Sequence, residues 1–119
     1  MPDNVVKQKS YDLALKIIKL CTLLKQQKHF EVATQLLRAG TGIGANVEEA
    51  SAGQSRKDFL AKMALASKEA RETNYWLRLL RDSKILDDKQ TQSLIDESVE
   101  LMKILTSIVK TAGNKAKDA

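Results

Sequence analysis

The stretch LRAGTGIGANVEEASAG, Leu37 to Gly53, decides the fold. Inside it Gly40-Thr41-Gly42-Ile43-Gly44-Ala45 satisfies G-x-G-x-x-G/A, the pattern of a dinucleotide-binding turn, with Asn46, Glu48 and Glu49 close behind. A dinucleotide turn needs a strand before it, so that the glycines turn the chain off a sheet edge and deliver phosphate to the next helix N-terminus. Glu31 to Arg38 has no strand-like alternation, and no alternating strand and helix pattern occurs elsewhere. Val32, Leu36, Ala39, Ile43, Val47 and Ala50 instead recur every three or four residues straight through the glycines. The stretch therefore reads as helix. Three interior glycines cost about 1 kcal/mol each relative to alanine. Close packing must return that energy. Ala33, Leu37, Gly40, Gly44 and Val47 share one stripe, and a flat stripe lets another helix approach and gain dispersion contacts. The approaching backbone belongs to the same chain or to a second subunit.

Outward from this segment the same period continues. Leu13, Ile17, Leu20 and Leu24 form one stripe, with Ala14, Ile18 and Cys21 on its neighbour, which predicts a first helix over about 5–28 with a broad apolar face. KQQKHFE is the first turn, and the second helix covers about 31–52. SAGQS makes the next turn, and Ser55-Arg56-Lys57-Asp58 reads as a capping box opening a third helix over about 56–84. Its core series is Phe59, Met63, Ala66, Ala70, Asn74, Leu77 and Leu80, after which Ile85 and Leu86 pack at a corner. Asp87 or Asp88 caps a fourth helix over about 88–112, with Leu94, Ile95, Ser98, Leu101, Met102, Leu105, Ile108, Val109 and Ala112 inward. Gly113 is expected to end it and residues 114–119 to form a disordered tail. Short turns force neighbours antiparallel, so the expected architecture is all-α, one up-and-down four-helix domain.

Size agrees, since 119 residues make one domain able to bury a core. One proline and five aromatics leave a composition that favours helix over sheet. No apolar run approaches the roughly 20 residues needed to span a bilayer, and Met1 to Lys7 has no apolar signal core, so a cytoplasmic location without membrane contact is expected. Cys21 alone cannot form an internal disulfide and reads as a core residue.

The net charge of +5 and isoelectric point near 9.4 are unevenly distributed. Asn4 to Lys28 carries six lysines against Asp12, and Gly53 to Lys84 eight basic residues against four acids. Elsewhere Glu31, Glu48 and Glu49 face only Arg38, and Asp87, Asp88, Asp96, Glu97 and Glu100 face Lys89, Lys103 and Lys110. Such alternation serves either pairing between helices or a surface for an anionic polymer. The candidate phosphate contacts are Lys68, Arg71, Arg78 and Arg81 on helix three and Lys9 and Lys16 on helix one. Arg71 and Arg78 have an alternative in pairing with Glu49, Glu72 or Asp82.

Catalytic and metal chemistry find little footing. His29 is the only histidine and lies in a turn. A carboxylate-bridged di-metal bundle needs Glu-x-x-His on two helices, and the chain has none. Glu48 and Glu49 point about 100° apart on a helix and cannot act as paired carboxylates. No catalytic residue, metal, cofactor or small-molecule substrate is expected. Asn46 and Asn74, on or beside apolar stripes, need hydrogen-bond partners and read as structural, while Tyr75 and Trp76 suit either an interface or the core.

The segments LLRAGTGIGANVEEA and SRKDFLAKMALASKEARETNYWLRLL resemble the bacterial four-helix-bundle family first found encoded in intervening sequences of 23S ribosomal RNA genes. Ile43, Ala45, Asn46, Val47 and Glu49 match its small-residue motif, and Glu69, Glu72, Tyr75, Trp76 and Leu77 its acidic and aromatic-leucine cluster. Gly42 stands where serine is common, and Glu48-Glu49-Ala50 departs from the family's frequent Ala-Glu-Gly. The resemblance covers about Lys9 to Thr111. It implies a ring-like homopentamer without an enzymatic reaction, related to the accessory variability determinant of diversity-generating retroelements, a basic pentamer that binds nucleic acid and a reverse transcriptase. The expected function is a non-enzymatic homo-oligomer whose basic helices contact RNA or DNA with low sequence specificity. The alternative is a protein-interaction scaffold without a nucleic-acid partner, its charges pairing between subunits.

Overall fold

Each apolar periodicity becomes a helix in the computed structural model, which describes residues 2–53 and 55–118. The elements are α1 (Pro2–Gln26), α2 (Phe30–Ser51), α3 (Arg56–Asp82) and α4 (Asp88–Asp118), with no strand among the described residues. α1 packs on α2, α2 on α3 and α3 on α4, while α1 and α4 meet less extensively. α1 and α3 stand at opposite corners, and among the described residues their backbones do not approach closely. Ion pairs of falling register, Arg38 with Glu69 and Glu49 with Lys62, mark α2 and α3 as antiparallel. Lys9 with Glu100 and Lys16 with Glu97 do the same for α1 and α4.

The glycine segment lies wholly within α2, and no glycine has positive φ. Gly40 is buried against α1: a Cβ built there would lie 2.7 Å from Ile17 Cγ2. A Cβ on Gly44 would meet the backbone carbonyl of Ser10 at 3.6 Å. The helix that needs this flat surface is therefore α1 of the same chain. Gly42 faces the other way, where its Cβ would come 3.2 Å from the Glu69 carboxylate of α3.

The core contains Leu13, Ile17, Leu24, Leu36, Ile43, Met63, Leu77, Leu80, Leu101 and Leu105, all at most 1 % exposed. Cys21 joins it. Ile18 departs from expectation: it is 46 % exposed, because the buried stripe of α1 is narrower than its run of apolar residues. Of the corner pair, Leu86 is buried and Ile85 is exposed.

Local chemistry sets the ends. α1 closes in a double turn in which Lys28 N–H donates to Lys25 O and His29 N–H to Leu24 O, with Lys28 left-handed at φ 68° where glycine is usual. Ser55 Oγ accepts from Asp58 N–H at 3.1 Å at the start of α3. The reciprocal box forms one helix later: Asp87 Oδ1 accepts from Gln90 N–H at 2.8 Å, and Gln90 Oε1 accepts from Asp87 N–H at 2.9 Å. Gln54 of the second turn lies outside the described residues.

Two boundaries differ by more than two residues from the sequence reading. α1 begins at Pro2, whose fixed φ and missing N–H suit the first helical position. α4 does not stop at Gly113 with a disordered tail but continues to Asp118. Gly113 sits in open space, with nothing within 4 Å of an added Cβ, so its low helix propensity costs only about 1 kcal/mol there and does not break the helix. Ala119 is outside the described residues.

Candidate nucleic-acid interface

The six candidate phosphate contacts divide into two groups. On α1, Lys9 Nζ lies 2.5 Å from Glu100 Oε1, and Lys16 Nζ donates to Glu97 Oε2 at 2.8 Å. The bond to Glu100 holds the Lys9 ammonium above the usual lysine range. At the end of α3, Arg81 Nε donates to Asp82 Oδ1 at 2.9 Å, which holds the Asp82 carboxyl below the usual range. These three cations are matched by carboxylates.

Lys68, Arg71 and Arg78 are not. Among the described residues, no carboxylate lies within 4.0 Å of any of them. The acids that the sequence offered as partners are taken elsewhere: Glu49 by Lys62 at 2.6 Å, Glu72 by Arg38, and Asp82 by Arg81. Arg38 is the cation that sequence reasoning passed over. Its guanidinium bridges Glu69 at 3.2 Å and Glu72, and the hydrogen bond to Glu72 is the main reason its pKa is raised. Gly42 leaves the space through which the Glu69 carboxylate passes. Arg38 thus removes two acids from the field of the α3 cations.

Lys68, Arg71 and Arg78 follow the helical repeat on the exposed side of α3. Two of them are anchored by α4 without losing charge. Arg71 Nη2 donates to Thr106 Oγ1 at 3.4 Å. Arg78 Nε donates to Asn74 Oδ1 at 2.8 Å, buried Asn74 Nδ2 donates to Ser98 Oγ at 3.1 Å, and Ser98 Oγ donates to Ile95 O at 2.7 Å. Asn74 therefore finds the partners that its burial required.

The family-motif residues are divided between the core and the surface. Ile43, Val47 and Leu77 are core, Trp76 packs partly against it, and Ala45 is exposed. Glu49 ties α2 to α3 through Lys62. Asn46 Nδ2 donates to Gly42 O within α2 at 2.8 Å, the carbonyl one turn back that a polar side chain on a half-buried face reaches first. Tyr75 is 48 % exposed and stands edge-on to Trp76, ring centroids 5.5 Å apart.

Other chemistry-bearing groups do not converge. His29 precedes α2 and makes no side-chain cap bond. An open cleft at the α1–α2 turn is walled by Lys28, His29, Phe30, Gln35 and Trp76, whose buried Nε1 finds no hydrogen-bond partner among the described residues. Among the described residues, no three His, Cys, Asp or Glu side chains are placed to hold a metal ion, and no helix is long and apolar enough to cross a membrane.

Fold and surface together define an antiparallel four-helix bundle with a cationic α3 and an acid-paired α1. The 23S rRNA-intervening sequence protein family matches residues 2–107, and the chain belongs to that family. A solved structure from Bacteroides thetaiotaomicron, a protein of unknown function from the S23 ribosomal protein family, is 47 % identical. The match covers 92 % of this chain and 99 % of that one, with a TM-score of 0.87. No curated protein matches the sequence.

Proposed function

We propose that this protein is a non-enzymatic, self-associating bundle that binds the phosphates of RNA or DNA through α3 with little sequence preference. One observation carries the reading: Lys68, Arg71 and Arg78 lack carboxylate partners among the described residues, in a bundle where the acids nearest by sequence are each held by another cation. Unpaired cations at helical spacing attract a polyanion and release its counterions, whereas paired ones contribute little. The family name, with its link to ribosomal RNA genes, is consistent with such a partner.

Self-association rests on α1. Tyr11, Leu15 and Ile18 are 59 %, 47 % and 46 % exposed and fall on one stripe, an apolar face unusual for a monomer. Covering this face with another copy leaves α3, at the opposite corner, open to solvent. The ring-like pentamer is the assembly that the family resemblance implies, and a cytoplasmic location belongs to the same proposal. The α1 stripe also favours the second reading, a scaffold that binds protein alone.

Charge reversal separates the two. Arg71→Glu with Arg78→Glu is expected to abolish binding to labelled RNA and DNA while leaving the mass in light scattering unchanged. Loss of assembly, in a chain whose parent binds neither RNA nor DNA, would favour the scaffold.

A further inference from the structure

We infer that the α3 surface is built for an unpaired strand, with Tyr75 stacking a base between the phosphate contacts of Arg71 and Arg78. The inference rests on the phosphate-binding reading and narrows it to single-stranded nucleic acid.

Lys68, Arg71, Tyr75 and Arg78 are spaced three, four and three residues apart, so they form a single stripe, and all four side chains are exposed. The aromatic ring lies within the cationic row. Two contacts set its position, the edge-on Trp76 ring and the Arg78 guanidinium carbon 5.8 Å from its centroid, and Arg78 is itself held by the hydrogen bond to Asn74. Trp76 in turn packs against the core. A ring that is half exposed yet braced in this way is pre-organised, so stacking a base on it requires little further ordering.

Duplex nucleic acid cannot use such a ring, because its bases are already stacked on each other. An unpaired strand can, since every base offers a π-face and its backbone runs beside the base towards neighbouring cations. Charge complementarity favours a polyanion as the occupant. Glu72, the acid beside this stripe, is bound to Arg38, and Asp82 to Arg81, so the row presents net positive charge to a polyanion. An uncharged apolar partner would have to desolvate three cations without compensation.

The test titrates the full chain with fluorescently labelled oligo-U, oligo-dT and a loop-free, blunt-ended duplex of equal charge at low salt, following anisotropy and quenching of tyrosine and tryptophan emission. The expected result is tighter binding to both single strands than to the duplex, with quenching by the single strands alone. Tyr75→Ala should weaken single-strand binding about tenfold and leave duplex binding unchanged, whereas Tyr75→Phe should retain the preference. Circular dichroism verifies that each variant is folded. Equal affinity for duplex and single strands, unaltered by Tyr75→Ala, would overturn the inference while leaving phosphate binding intact. Absence of binding to every probe would overturn both.

Discussion

Arg78 is held by Asn74: its Nε donates to the buried amide oxygen at 2.8 Å, and that amide donates across to Ser98 of α4. A surface cation is thereby set in place by a polar chain reaching into the bundle. Deleting the amide frees Arg78 and removes the buried bond to Ser98, whose hydroxyl still donates to Ile95 O. Asn74→Ala is expected to destabilise the fold by about 1–3 kcal/mol, measured by urea unfolding, and Ser98→Ala by a comparable amount, since it leaves the buried Asn74 Nδ2 without its acceptor. Equal stability of Asn74→Ala and the parent chain would show that the amide is not a structural tie.

Two glycines in helices should answer oppositely to the same change. At Gly40 a methyl group would meet Ile17 Cγ2 at 2.7 Å and Cβ at 3.1 Å, and Cβ cannot swing away without moving α1. Gly40→Ala is expected to cost about 1–3 kcal/mol from overpacking, outweighing a propensity gain of about 1 kcal/mol. Gly113→Ala meets nothing within 4 Å and should stabilise by up to about 1 kcal/mol. Thermal unfolding of both variants checks the pair. A stabilised Gly40→Ala would mean that α1 does not lie against this face.

Burial pushes the Cys21 thiol up from 9.0 to about 11. Between those values the unfolded chain releases its thiol proton while the folded chain keeps it. The unfolded state then binds fewer protons, and stability falls as pH rises through that window. This contribution is complete below pH 9 and absent above about 11. Cys21→Ala should be less stable overall because it leaves a cavity, but should lose less stability between pH 9 and 11 than the parent. Parallel slopes for the two proteins would contradict the assignment.

The bundle was legible because helical periodicity survives three glycines, and because Val32 to Ala50 carries no strand alternation. Asn74 was legible too, as a polar residue on an apolar series. Other features depend on which helices are neighbours, and the sequence does not state that. Glu100 and Glu97 neutralise Lys9 and Lys16 because α4 lies beside α1, and Arg38 removes Glu69 and Glu72 because α2 lies beside α3. The candidate cations therefore looked alike in sequence and differ in space. Ile18 shows the same limit, since two adjacent apolar stripes on α1 give no sign of which one turns outward. In sequence Tyr75 reads as an interface or core residue and not as an aromatic interleaved with the cations, although its spacing from Arg71 and Arg78 shows that placement; its bracing between Trp76 and Arg78 depends on side-chain geometry that spacing does not fix.

The central claim, that the unpaired cations of α3 contact phosphate and the paired ones of α1 do not, is tested most directly by the salt dependence of oligo-U binding. For single strands, log affinity falls against log salt with a slope of about −0.7 per phosphate neutralised. Replacing Lys68, Arg71 and Arg78 together by alanine should make that slope shallower by about 2 for each subunit engaged. Replacing Lys9 and Lys16 should leave it unchanged. An unaltered slope in the α3 variant, or a shallower one in the α1 variant, would contradict the account.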